Sequence, residues 1–60
     1  MECYALYSTE GNLWVETYEG ELRFTGSTRE ALVFSGEEDA QSVADRIQEE
    51  YGVSVEPREI

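Results

Sequence analysis

The hydrophobic positions in the N-terminal half of the chain form three short runs that are separated by polar turn sequences. The runs 2–8 and 13–18 are rich in aromatic and β-branched residues and are separated by the turn sequence TEGN, which is typical of a β-hairpin. Gly20 predicts a second turn, because glycine adopts the positive φ of a tight turn without steric cost. Hydrophobic and polar residues alternate in the run that follows, 21–25. The pattern predicts a three-stranded antiparallel meander.

The segment 31–34 supports two interpretations. Ser27 and Glu30 have the S-x-x-E spacing of a capping box, which favours a short helical turn. The apolar run that follows, Leu32-Val33-Phe34, is instead typical of a strand. We favour a fourth, short strand over 31–34.

The period changes to that of an amphipathic helix after Phe34. Ser35 is placed to cap this helix, Glu38 three residues later is the capping-box partner, and Gly52 ends it in the left-handed conformation. The apolar stripe consists of Ala40, Val43, Ala44, Ile47 and Tyr51. A final strand follows in VSVEP (53–57), which we expect to stop at Pro57.

These elements predict the fold class α+β in a single domain, 1–60. The architecture is a small antiparallel β-sheet, a meander of three strands plus one or two short strands, with a single amphipathic helix packed on one face.

One helix covers only one face of a sheet, so the other face is exposed to water or to a partner. In the second strand, Leu13, Val15 and Thr17 alternate with bulkier or charged residues, and we expect these three to face the helix. Tyr and Trp are enriched at protein interfaces, whereas the alternative is that the aromatic side chains fill a small core. The predicted interface on the open sheet face is Trp14, Glu16, Tyr18 and Arg23.

The net negative charge of the chain excludes some classes of binding partner. Fourteen acidic residues stand against four arginines in 60 residues, a net charge of -10. Such a charge repels phosphate backbones and anionic lipids, so we expect no direct binding to nucleic acid or membranes. No membrane span or export signal is visible, which predicts a cytoplasmic protein. The absence of lysine is typical of a GC-rich genome or of adaptation to salt, both properties of the host.

The sequence offers no catalytic constellation. It contains no histidine, and Cys3 is its only cysteine, so neither a Ser-His nor a Cys-His pair can form. The acidic stretch 36–39 lacks the spacing of a calcium-binding loop. We therefore expect no enzyme activity, no metal site and no cofactor.

The acidic side of the helix suggests a second function. Glu38, Asp45 and Glu49 recur at helical spacing opposite the apolar stripe, and Glu49 and Glu50 oppose the helix dipole. Ordered carboxylates of this kind are found where a small protein mimics DNA and occupies the basic groove of a nucleic-acid-binding protein. The alternative is a solvated helix face. Arg46 interrupts the acidic surface, and Gln41 and Ser42 dilute it, which counts against mimicry.

A resemblance adds to this interpretation. The segment from Arg29 to Pro57 resembles short, uncharacterised archaeal, bacterial and phage proteins, in which a sheet is followed by the pattern A-x-x-F-x-x-x-x-x-A, a helix, a glycine and a last strand. The positions that match are Ala31, Phe34, Ala40, Ala44 and Gly52. The resemblance implies an α+β fold and no catalytic residues. Taken together, the sequence predicts a small acidic interaction module, homodimeric through the open sheet face or bound to a basic protein, with a DNA-mimic inhibitor as the alternative.

Overall fold

The structure is a computed structural model that describes residues 2–60. Within that range one helix packs on a curled antiparallel sheet, which confirms the α+β architecture. The elements are β1 (Tyr4–Ser8), β2 (Leu13–Thr17), β3 (Arg23–Thr25), β4 (Val33–Phe34), α1 (Glu37–Tyr51) and β5 (Glu56–Glu59).

Strand β1 is the centre of the sheet and pairs with three other strands. β5 pairs antiparallel with Tyr4 through Tyr7, while β2 pairs with the C-terminal end of β1 and β4 with its N-terminal end. A strand has two edges, so β5 occupies one edge of β1, and β2 and β4 share the other. A hydrogen bond of 2.9 Å from the N–H of Leu32, the residue before β4, to the Val15 carbonyl of β2 connects the two segments on this edge. β3 pairs with the far edge of β2.

The core lies between the sheet and α1. Tyr7 pairs with Trp14, so Leu6 and Val15 are neighbours on the face that α1 covers, which we call the inner face. The opposite face, which contains Tyr7 and Trp14, is called the outer face. The buried core residues are Leu6, Val15, Ala40, Ala44 and Ile47. Burying each of the three large aliphatic side chains contributes about 1.5–3 kcal/mol, which makes this cluster the main stabilising contact.

A β-bulge in β2 changes which side chains face the core. Val15 stands opposite Phe24, but Thr17 stands opposite Arg23, so Glu16 is an extra residue in β2. The extra residue shifts the alternation by one position. Tyr18 therefore packs against the core, and Thr17 shares the outer face with Arg23. The prediction that Tyr18 lies on the open face and Thr17 faces the helix was wrong.

The prediction for the start of α1 was wrong, and the prediction for its end is confirmed. The helix begins after Gly36, whose φ of -139° and ψ of 147° are extended, and no side chain caps it. The predicted Ser35–Glu38 capping box was therefore wrong. Three acidic residues in the first turn, Glu37 to Asp39, favour the helix start through the helix dipole instead. Gly52 ends the helix with a φ of 71°, and its N–H bonds the Gln48 carbonyl, as predicted.

The last strand begins three residues later than expected and contains Pro57. The Ile60 N–H donates to the Cys3 carbonyl at 2.9 Å, which makes Cys3 and Ile60 a hydrogen-bonded pair. Hydrogen-bonded and non-hydrogen-bonded pairs alternate along an antiparallel ladder, so the pair of Leu6 and Pro57 is non-hydrogen-bonded. The Pro57 nitrogen faces the free edge of β5 and removes no bond to β1. The prediction that Pro57 stops the strand was wrong for this reason.

The segment 31–34 follows the strand interpretation, and the Ser27–Glu30 capping box does not form, because the Ser27 Oγ accepts from the Arg29 N–H instead. Val33 and Phe34 form the short strand β4, as favoured. Residues 28–30 form a turn, in which the Glu30 N–H bonds the Ser27 carbonyl at 3.2 Å. The strand is shorter than predicted because the Ala31 N–H bonds the Thr28 carbonyl of the turn at 3.4 Å and the Leu32 N–H bonds Val15 of β2.

Candidate functional site: the outer face of the sheet

A row of side chains crosses four strands on the outer face. Tyr7 of β1 stands directly opposite Glu56 of β5 on one side and Trp14 of β2 on the other, and Trp14 stands opposite Thr25 of β3. Directly paired residues of antiparallel strands project from the same face, with Cβ atoms about 4.5–5.5 Å apart. The register therefore builds a continuous line of four side chains from one sheet edge to the other.

Tyr7 is the centre of the contacts in this row. Its ring meets the Trp14 ring edge-on, with centroids 4.8 Å apart and planes at 62°. The Arg58 guanidinium carbon lies 4.3 Å from the centroid of the Tyr7 ring, within cation–π range. The Tyr7 hydroxyl bonds the Asn12 side-chain Oδ1 at 2.9 Å. These contacts fix the orientation of both aromatic rings.

Arg58 also pairs with Glu56 along β5. The Arg58 Nη2 and the Glu56 Oε1 are 3.5 Å apart, and both side chains are about half exposed. An exposed pair of this kind contributes at most about 1 kcal/mol. Its effect on the surface is that the two charges neutralise each other beside the aromatic rings.

A second row lies next to the first and exposes apolar side chains. Ala5 stands between Val33 of β4 and Arg58 of β5, and it is fully buried. Cys3 stands opposite Ile60 and is half-buried. Val33 and Ile60 each remain 47% exposed. Two of the four exposed large hydrophobic residues of the described chain therefore lie on this face.

The structure separates the residues predicted for the interface. Trp14 lies on the outer face, half-buried against Tyr7, and Arg23 is exposed on the same face. Glu16 is half-buried in the bulge beside the row. Tyr18 is on the other side of the sheet, as described above.

Sequence reasoning missed several residues of this face: Tyr7, Val33, Arg58 and Ile60. Alternation within β1 puts Tyr7 on one face with Cys3 and Ala5, but it does not tell which strand stands opposite. The contact with Arg58 depends on the β1–β5 register, which joins the two ends of the chain. No local pattern encodes that pairing.

The acidic helix face is exposed, as its spacing indicates. Glu38, Asp45 and Glu49 fall on one stripe of α1 at about 100° per residue, and all three are exposed. The Gln41 side-chain amide donates to Asp45 Oδ1 at 3.0 Å, which holds this carboxylate in place. Glu50 is also exposed but lies about a third of a turn away from the stripe. The face is a solvated row of three carboxylates with Glu50 beside it.

A separate group of acidic residues lies around Tyr4, at the end of the sheet nearest the helix start. Burial raises the pKa of the Tyr4 hydroxyl, and the charges of Glu2, Glu59 and Glu37 raise it further. The hydroxyl donates to Glu2 Oε2 at 3.3 Å. Among residues 2–60 no group of three or more acidic, cysteine or histidine side chains is arranged to hold a metal ion, and no pocket is found there.

Comparisons with known protein families, with the curated proteins and with the solved structures each find no match to this chain. Helix α1, the helix of the described residues, is too short and too polar to cross a membrane. Function is therefore inferred from the surfaces of the chain itself.

Proposed function

We propose that this chain is a non-enzymatic interaction module that associates with a second copy of itself through the outer face of its sheet. The observation that carries the proposal is the row of Tyr7 and Trp14, next to the exposed Val33 and Ile60, on the face away from α1. A chain of 60 residues buries only about 60% of the surface that its unfolded form exposes. Covering the outer face with a second copy adds apolar burial that the single chain lacks.

The size of the face determines the strength of this association. Four strands at about 4.8 Å spacing and about four residues per strand cover roughly 250 Å² on each copy. A standard interface takes about 800 Å² from each partner. The face is therefore smaller than the interface of a stable dimer, and the association we propose is weak and requires a high protein concentration.

Val33 provides the test, because it is 47% exposed on the outer face and its pairing partner Ala5 is already buried. Leu13 is a matched control: it is 36% exposed and pairs with Ser8 on the inner side. Sedimentation equilibrium at increasing protein concentration should detect dimers of the wild type. Val33→Ser should weaken the dimer, whereas Leu13→Ser should leave it unchanged.

Equal effects of Val33→Ser and Leu13→Ser would contradict the choice of face. A wild-type chain that stays monomeric at every concentration and salt level would contradict self-association altogether.

The acidic stripe of α1 supports a second candidate, a DNA-mimic inhibitor. Glu38, Asp45 and Glu49 are all exposed, and Asp45 is held by Gln41. A basic DNA-binding protein captured from a lysate should be released by added duplex DNA if the stripe occupies its groove. The triple variant Glu38→Gln, Asp45→Asn, Glu49→Gln should lose the capture, and Val33→Ser should keep it. Capture that DNA does not displace would contradict mimicry.

A further inference from the structure

The charges of this chain are distributed unevenly between the outer face and the rest of the surface. Among strand residues, four charged side chains lie on or beside the outer face: Glu16, Arg23, Glu56 and Arg58. Two glutamates and two arginines balance. The remaining twelve acidic residues and two arginines of the sequence carry the whole net charge of -10. The outer face is neutral, and the surface around it is strongly acidic.

We infer that self-association through the outer face is controlled by ionic strength and is strengthened by salt. This inference rests on the proposed function. The contacts on the face do not oppose association, because its charges balance and its centre is aromatic. The opposition comes from the acidic residues outside the face, which repel those of the second copy through solvent.

Distance and screening determine the direction of the effect. The radius of gyration is 10.2 Å, so most charges of one copy lie more than 10 Å from those of the other in a dimer. The Debye length is about 10 Å at 0.1 M ionic strength and about 3 Å at 1 M. Repulsion over such distances acts in dilute buffer and is screened at molar salt. Since the interface itself is small, this repulsion decides whether the dimer forms.

The direction in which salt changes the association constant distinguishes this mechanism from an interface held by ion pairs. Pairs between charges at the rim of an interface weaken when salt is added. Here the Arg58–Glu56 pair is within one copy, so salt does not remove a contact between copies. The association constant should rise on the order of tenfold or more between about 0.05 M and about 1 M NaCl.

The test combines salt with charge removal far from the interface. The association constant is measured by sedimentation equilibrium for the wild type and for the variant Glu38→Gln, Asp45→Asn, Glu49→Gln. These three residues lie on α1, on the opposite side of the molecule, and each substitution keeps the size of the side chain. The variant should associate more tightly than the wild type in dilute buffer and should depend less on salt.

Each outcome separates the two proposals. An association constant that falls or stays constant with salt, or a variant that behaves as the wild type, would overturn salt control and leave self-association intact. A general salting-out effect would raise the association constants of the wild type and of the variant equally, and this result too would overturn the inference. Absence of association at every salt concentration would overturn the proposed function.

Discussion

The hydroxyl of Tyr51 donates a hydrogen bond to the backbone carbonyl of Tyr18 at 3.0 Å. Tyr51 is the last residue of α1, and Tyr18 follows the last residue of β2. The bond therefore ties the end of the helix to the β2–β3 part of the sheet, where the Tyr18 side chain also packs against the core.

We expect Tyr51→Phe to lower the free energy of unfolding by about 0.5–1.5 kcal/mol, the net contribution of one hydrogen bond. Phenylalanine keeps the ring and removes only the donor. Urea denaturation measures the change, and Tyr51→Leu shows what the ring itself contributes. An unchanged midpoint for Tyr51→Phe would mean that water replaces the bond without loss.

The bulge in β2 predicts different results for Trp14 of β2 and for Tyr18, which follows the strand. Trp14→Ser removes an outer-face contact worth about 0.5–1.5 kcal/mol beyond area burial, so the variant should fold and show the wild-type helix signal by circular dichroism. Its dimer should dissociate more readily in sedimentation experiments. Tyr18→Ser removes a ring from the core and should lower the unfolding free energy more. The reverse order of stabilities would mean that the faces are assigned incorrectly.

Added salt should raise the thermal stability of the single chain. Self-repulsion among fourteen acidic residues and four arginines destabilises the compact state and is screened at high ionic strength. Melting at a low protein concentration, where dimers are absent, should give a midpoint that rises from dilute buffer to molar NaCl. A flat or falling midpoint would remove salt adaptation as the explanation of the acidic composition.

The C-terminal end of α1 should gain stability from reversed charge. Its last turn has no basic residue, and Glu49 and Glu50 oppose the helix dipole. Replacing each by lysine should add about 0.3–1 kcal/mol at low ionic strength. Glu49→Gln and Glu50→Gln, which remove charge without reversing it, should give intermediate values. A loss of stability would show that the two carboxylates have favourable partners that the lysines break.

The raised pKa of Tyr4 predicts a loss of stability in alkaline solution. Below pH 10 the hydroxyl is protonated in both the folded and the unfolded chain. Above the ordinary tyrosine pKa of 10.0 the unfolded chain loses this proton first, so the unfolding free energy falls as pH rises toward the folded-state pKa. Tyr4→Phe should reduce this fall, which urea denaturation of both proteins at a series of alkaline pH values measures. An unchanged pH dependence in Tyr4→Phe would show that this hydroxyl does not cause the loss.

Local patterns predicted the elements but not all their boundaries. The stripe from Ala40 to Ile47 predicts α1 and its buried face, because periodicity of 3.6 residues depends only on neighbours along the helix. Gly52 marks the helix end because its positive φ excludes most other residues. Ser35 failed as a cap because the helix begins one residue later than expected, at Glu37, so that the extended Gly36 occupies the N-cap position.

The residues of the outer face could not all be predicted, because their placement depends on contacts between distant parts of the chain. No glycine or proline near Glu16 signals the bulge in the sequence. Simple alternation therefore put Tyr18 on the wrong side of the sheet. The contact of Tyr7 with Arg58 spans almost the whole chain. Such contacts follow from strand register, which one sequence does not determine.

The outward nitrogen of Pro57 has a consequence for how sheets from different molecules meet. A free strand edge recruits further strands through its unpaired N–H groups, which is how fibrils grow. β5 has lost one of those donors, and Glu56 and Glu59 charge the same strand. Extension of the sheet by a further strand at the β5 edge is therefore disfavoured, because one backbone donor is missing there and the strand carries charge.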